Sequence, residues 1–316
     1  GRLGLLAWVN AALRQHRRTE AVAVEACAAL WKMCDSDGNQ AEAGRLGLLS
    51  EVQDALRLHP SSAALVEHAC GALKSMCARP NDSTRMRRSR PRCGGTVARP
   101  RWRRRPAGRC GTCALATRVT WPALAALQKH PGSEAVAAAA CGALSAMCAG
   151  SGDNSAEAAR LEALVEVCAS LRRHPGSSAV AAAACGAVKS ICAPRVPGYS
   201  GTNNTGVAAE ARRLGLLEEV HTALQAHGFC LAIEAWGAVW SLCRDSAENQ
   251  AVAARLGLMA ELRFGLRAGP GCDVVVEAAC GALWSMCQNA DNCAGGGAAG
   301  AAGGREVHRG DLRRLT

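Results

Sequence analysis

The sequence predicts an all-α protein in which about six units of three helices each stack into a superhelical solenoid. Three observations predict it. The pattern GRLGLLAWVNAALRQH from Gly1 returns as GRLGLLSEVQDALRLHP from Gly44, 43 residues on. The long segment that ends a unit closes on a cysteine six times, at Cys34, Cys77, Cys148, Cys192, Cys243 and Cys287. Inside these segments apolar residues recur at three- and four-residue steps, and no stretch alternates polar and apolar residues over the length of a strand. A unit of this size cannot bury its long helix alone, so neighbouring units must cover one another. A single closed bundle would not demand that register.

Each element follows from local chemistry. The stretch NQAEAG, from Asn39 to Gly44, reads as a short first helix ended by Gly44, a glycine that can adopt a positive φ. Leu48, Leu49, Val52, Ala55 and Leu56 make a second, amphipathic helix. It stops at His59-Pro60, because proline lacks the N–H and clashes with the preceding turn. Ser62 is placed as N-cap of the third, long helix, with Thr19, Ser133 and Ser177 at its place in other units. Leu65 or Val66, Cys70, Leu73 and Cys77 then follow along one face. The closing cysteines are 43, 71, 44, 51 and 44 residues apart. The surplus in the longest step is an Arg-rich insert; the surplus before Cys243 sits mainly in a Gly/Pro/Asn loop from Pro194 to Gly206.

The chain has 316 residues and a formal charge of +11, and that excess is local. Residues 79–112 hold twelve arginines and one acid, Asp82, while the remainder carries 25 basic and 25 acidic residues and is neutral. Any nucleic-acid contact must therefore rest on this insert, through Arg85, Arg87, Arg88, Arg101, Trp102, Arg103, Arg104 and Arg105. Proline and like-charge repulsion oppose compact structure there, so the insert is expected to be disordered. It can be read as a nucleic-acid-binding loop, as a localisation-type basic cluster, or as untranslated sequence carried into the chain. The organisation that results is two units over 1–78, the insert over 79–112, four units over 113–293 and a flexible Gly/Ala-rich tail over 294–316. Gly1 falls inside a pattern that recurs at Gly44, which reads as a piece of a longer solenoid. No run of 18 apolar residues offers a membrane span.

At AGRLGLLSEVQDAL from Ala43 and ACGALKSMC from Ala69 the sequence resembles the armadillo repeat, with looser copies in ARRLGLLEEVHTAL from Ala211 and AARLGLMAELRFGL from Ala253. The resemblance covers roughly 1–78 and 113–293; HEAT repeats are its near neighbour. It implies a right-handed superhelical solenoid of armadillo-like three-helix repeats, and a protein-interaction scaffold whose concave surface is lined by the third helices.

Eleven of the 18 cysteines occupy two fixed places seven residues apart in the third helix. That spacing separates them by about 10 Å along the axis, too far for a disulfide. Trp236 replaces the first of the two in unit five, which fits packing and excludes an obligatory metal ligand. The cysteines are expected to be buried free thiols, in a cytoplasmic or nuclear, reducing setting. Cys110-Gly-Thr-Cys113, with Cys93 nearby, lacks the further ligands of a zinc site. His16, His59, His130, His174 and His227 end second helices, where imidazole can bond an orphan carbonyl. Neither residue type is singled out by an added acid, and nucleotide, metalloprotease and hydrolase motifs are absent. No catalysis, cofactor or metal is expected.

One position changes character while its surroundings hold still. Four residues after the first cysteine place the six units carry Trp31, Lys74, Ser145, Lys189, Trp240 and Trp284. A core position does not accept Lys and Trp in turn, so this stripe faces solvent or a groove edge. Three residues before it lie Ala28, Gly71, Gly142, Gly186, Gly237 and Gly281, a groove floor nearly free of side chains and open to close approach. The stripe and floor suit a protein partner or extended peptide with apolar and acidic features. The competing reading is that each Trp fills space against the adjacent unit. Nuclear-import adaptors of the resembled family carry a Trp before the A-L and an Asn two residues after it. Here those places hold Ala28 and the five glycines, and Lys32, Ser75, Ala146, Ser190, Ser241 and Ser285. A different partner is implied.

Overall fold

The computed structural model describes residues 4–78, 120–149, 151–193, 205–262 and 273–289. Six units of packed α-helices are built from these residues. Unit one contributes α1 (Leu5–Gln15) and α2 (Glu20–Met33); unit two α3 (Asp37–Arg45), α4 (Leu48–Leu58) and α5 (Ala63–Cys77); unit three α6 (Thr120–Lys129) and α7 (Glu134–Cys148). Unit four holds α8 (Gly152–Arg160), α9 (Ala163–Arg173) and α10 (Ser178–Ile191). Unit five holds α11 (Thr205–Arg213), α12 (Leu216–His227), a 3-10 turn and α13 (Ala232–Cys243). Unit six has α14 (Ala247–Arg255), a helical stretch over 258–262 and α15 (Asp273–Met286). The described residues contain no strand.

The long helices α2, α5, α7, α10, α13 and α15 pack each on the next, and α1, α4, α6, α9 and α12 form a second row behind them. This stacking makes one continuous core of Leu, Val, Ala and Cys running the length of the solenoid. The α5–α7 pair packs like the others although 41 residues, 79–119, lie between the two units' described parts. The Arg-rich insert therefore leaves from and returns to an unbroken stack. Its arginines Arg85, Arg87, Arg88, Arg101, Arg103, Arg104 and Arg105, Trp102, the Cys93/Cys110/Cys113 group, most of the loop from Pro194, and the 294–316 tail lie outside the described residues. Within that loop's expected span, α11 already begins at Thr205.

Two expected caps are corrected. The short first helix of unit two runs through Gly44 to Arg45, and the glycine with positive φ is Gly47 (φ 69°), which turns the chain into α4. Gly4, Gly215 and Gly257 do the same in units one, five and six, and Glu162 takes that strained conformation (φ 57°) in unit four. Ser62, Ser133 and Ser177 accept from the N–H of Leu65, Val136 and Val180, whereas Thr19 starts α2 without a side-chain cap bond.

The Asn at the head of α3, α8 and α14, where α11 carries Val207, has a use the sequence pattern did not reveal. Asn39, Asn154 and Asn249 donate from Nδ2 to the carbonyls of Met33, Met147 and Leu242, at 2.6, 2.7 and 2.7 Å. The next residue, Gln40, Ser155 or Gln250, donates to the carbonyl of Cys34, Cys148 or Cys243. The last carbonyls of a long helix have no partner within it, and this Asn-Gln/Ser pair supplies one.

Candidate functional site

The stripe and the glycines meet, but across units instead of within them. A Cβ built on Gly71 would lie 2.4 Å from Trp31 Cδ2; on Gly142, 3.2 Å from Lys74 Cδ; on Gly186, 3.0 Å from Ser145 Oγ. On Gly237 it would lie 2.5 Å from Lys189 Cδ, and on Gly281, 3.7 Å from Trp240 Cγ. Each stripe side chain thus rests on the glycine of the following unit. The expectation of an open, side-chain-free floor is corrected: Gly71, Gly142, Gly186 and Gly237 are buried, and the neighbour's side chain takes the space beside each, most tightly at Gly71, which faces the Trp31 ring. Ala28 opens the series with no described stripe residue before it.

The stripe itself stays accessible. Lys74 and Trp284 are exposed, the latter at 55 %, and Trp31, Ser145, Lys189 and Trp240 are half-buried. Apart from Trp284, each side chain lies with one face on the next unit and the other open. The serines directly after the stripe residues are buried and used internally: Ser75 Oγ donates to Asp35 Oδ1 at 3.2 Å, Ser241 Oγ to the Lys189 carbonyl at 3.1 Å, and Ser285 Oγ to the Ala282 carbonyl at 2.8 Å. Ser190 Oγ shares a hydrogen bond with Ser145 Oγ. No row of amides therefore stands on this face.

Residues outside the sequence-derived set complete two clusters. At the unit-one end the His68 ring tilts against Trp31, centroids 6.1 Å apart, and Lys32 Nζ lies 5.3 Å from the Trp31 ring centre. At the other end Arg244 lies between Trp240 and Trp284, and Lys189 is hydrogen-bonded to Glu234 of the next unit. His68 and Glu234 occupy one register position, two before the first cysteine place, where the other units carry Glu25, Ala139, Ala183 and Ala278. Its variation in charge is the signal that could have revealed them. The stretch between the clusters, around Ser145, Ala146 and Ala183, is small and uncharged.

The repeated cysteines and histidines have structural partners. Burial pushes the thiols of Cys27, Cys70, Cys141, Cys148, Cys185, Cys192 and Cys243 up to about 12, so the reactive thiolate is absent near neutral pH. Cys280 departs from the expected burial and is exposed. In earlier units the next unit's long helix covers this side of the stack; α15 is the last long helix described. The histidines do bond carbonyls, though not those of their own helices. The Nε2 atoms of His59, His130, His174 and His227 lie 2.9–3.3 Å from the carbonyls of Arg17, Pro60, Pro131 and Pro175, in the turn one unit back. A carbonyl only accepts, so each Nε2 carries the proton. His16 is exposed.

A second tie runs along the second helices. Arg14 pairs with Glu51 at 2.8 Å, Gln128 with Glu166 at 3.3 Å, Arg172 with Glu219 at 2.6 Å, and Gln225 with Glu261 at 3.1 Å. Between units two and three the series breaks: Pro122 stands at the Glu place, and Arg57 turns to Asp54 of its own helix.

Among the described residues no group of three or more His, Cys, Asp or Glu is placed to hold a metal ion, and no helix is long and apolar enough to cross a membrane. No family model matches this sequence, and neither does any curated protein. Solved structures do match. A designed armadillo repeat protein in complex with the peptide (KR)4 is similar with a TM-score of 0.59 and 16 % identity, over 89 % of this chain and 99 % of that one. A second designed armadillo repeat protein gives 0.62 and 17 %, over 89 % and 99 %. A structure described by a phosphorylation switch in the interaction between cadherin and beta-catenin gives 0.64 and 13 %, over 90 % of this chain and 50 % of that one. At these identities the likeness establishes the fold, an armadillo-like repeat solenoid.

Proposed function

We propose that this armadillo-like solenoid is a non-catalytic interaction scaffold that takes an extended peptide segment of a protein partner along its long-helix face, on the stripe Trp31, Lys74, Ser145, Lys189, Trp240 and Trp284. The observation that carries the reading is the accessibility of this stripe: three large indoles and two lysines keep an open side, although apolar and aromatic surface is ordinarily covered. The solved neighbours lend support, since one holds a peptide and another concerns a protein–protein interaction. The seated glycines Gly71, Gly142, Gly186, Gly237 and Gly281 serve the ligand indirectly, by fixing the rings and stems that meet it. A cytoplasmic or nuclear site of action fits the many free thiols.

The test is affinity capture from a lysate with the chain and with a version carrying Trp31→Ala, Trp240→Ala and Trp284→Ala. Partners held by the first and lost by the second support the stripe; equal retention overturns it. Binding of nucleic acid is kept as the second reading because the arginines of 79–112 carry the whole net charge. It predicts RNA affinity that falls steeply with salt and vanishes when 79–112 is removed.

A further inference from the structure

We infer that Trp240, Arg244 and Trp284 form an acid-reading subsite on the long-helix face, with Arg244 setting its specificity. The inference rests on the reading of that face as peptide-binding and names the chemistry that one part of it selects. Arg244 lies one turn beyond Trp240, at the end of α13. Its guanidinium carbon is 5.8 Å from the Trp240 ring centre and 6.0 Å from that of Trp284, so two indoles from successive units hold it. This contact fixes a side chain that would otherwise lose rotamer freedom on meeting a ligand.

The guanidinium is not satisfied within the protein. Its Nε is buried without a hydrogen-bond partner. The carboxylate at 3.6 Å belongs to Asp245, whose side chain is 72 % exposed. That carboxylate faces the same Nε at a distance that exceeds a hydrogen bond, and with Asp245 held in solvent the pair is weak. Lys189, the other cation of this region, is already bonded to Glu234. Arg244 is therefore the cation here with capacity left, and the exposed face of Trp284 lies beside it. The occupant that fits is an extended acidic peptide: its carboxylate pairs with the planar guanidinium edge while an adjacent apolar side chain lies on Trp284. A basic peptide would meet like charge at Arg244.

Three labelled peptides test this by fluorescence anisotropy at low salt: one of alternating leucine and glutamate, one of leucine and glutamine, one of leucine and lysine. The chain is expected to prefer the glutamate peptide over the glutamine peptide by about tenfold, the rank of one charge-assisted contact. Arg244→Gln should erase that preference, Arg244→Lys should keep part of it, and Trp284→Ala should weaken all peptides together, with thermal melts showing each variant folded. Equal affinity for the glutamate and glutamine peptides, a preference that survives Arg244→Gln, or binding of none of them overturns the inference. If the peptides bind without regard to charge and the triple Trp variant loses them, the acid-reading subsite falls and the scaffold reading stands. If the triple variant also keeps every captured partner, both fall.

Discussion

A single methyl group separates the glycine seats from one another. At Gly71 the added carbon would sit 2.4 Å from the Trp31 ring, which is broad and packed beside His68 and cannot slide away cheaply. Gly71→Ala is expected to lower stability by about 1–3 kcal/mol, the cost of overpacking. At Gly281 the same carbon would lie 3.7 Å from Trp240, an ordinary contact, and the helix gains from losing a glycine. Gly281→Ala should be neutral, or stabilising by up to about 1 kcal/mol. Parallel urea unfolding curves decide the pair, and equal effects would show that the seats do not discriminate. The thiols make a second prediction at this scale. Folded-state values near 12 lie above the ordinary value of 9.0. Between about pH 9 and 12 the unfolded chain therefore sheds thiol protons that the folded chain keeps. Stability should be level below that window and fall as pH climbs through it, seen as a declining thermal midpoint. At pH 8, iodoacetamide followed by peptide mapping should label Cys280 well ahead of Cys70, Cys141 and Cys185.

At the scale of the element, the decisive residues lie between helices. Asn249 is almost fully buried and donates from Nδ2 to the Leu242 carbonyl at 2.7 Å and the Ala208 carbonyl at 3.2 Å. Asn249→Ala strands two carbonyls in the core and should cost about 2–3 kcal/mol, measured by thermal or chemical unfolding. Asn249→Asp should not rescue it, because a carboxylate cannot donate. The helices themselves were legible in the sequence, since their periodicity, the Ser62 cap and the His59-Pro60 stop are local properties of one segment. The links between helices were not. That His130 reaches back to Pro60, or that Lys74 lies over Gly142, depends on how two segments some 70 residues apart come into contact. The stripe was visible because Trp and Lys exchange at one register position. Arg244 was hidden because its partners, Trp240 and Trp284, sit on different units. The pattern points to Gly44 as the helix end because glycine is ordinarily a helix stop; the backbone turns three residues later, at Gly47.

For the whole molecule, the stack is continuous where the sequence is most irregular. Because α5 packs on α7 directly, residues 79–119 can be exchanged for the short connection that joins the same two kinds of helix in unit four, residues 149–162. The exchanged protein should show higher helicity per residue by circular dichroism and a thermal midpoint no lower than the parent's. A non-cooperative melt would mean that the Arg-rich segment helps hold units two and three together. That joint also lacks the carboxylate tie on its second helices, so it leans on long-helix packing and on His130 more than its neighbours do. The seating of each stripe side chain on the following unit reaches beyond stability. Where the fit is tight, as between Trp31 and Gly71, two positions forty residues apart are bound into one heritable trait: a bulkier notch in one module is tolerated only when the module before it trims its own protrusion. Duplicating or excising a module would set an unfamiliar protrusion over an old notch. The modules, though alike, are therefore not freely interchangeable, and their order along the rod carries information of its own.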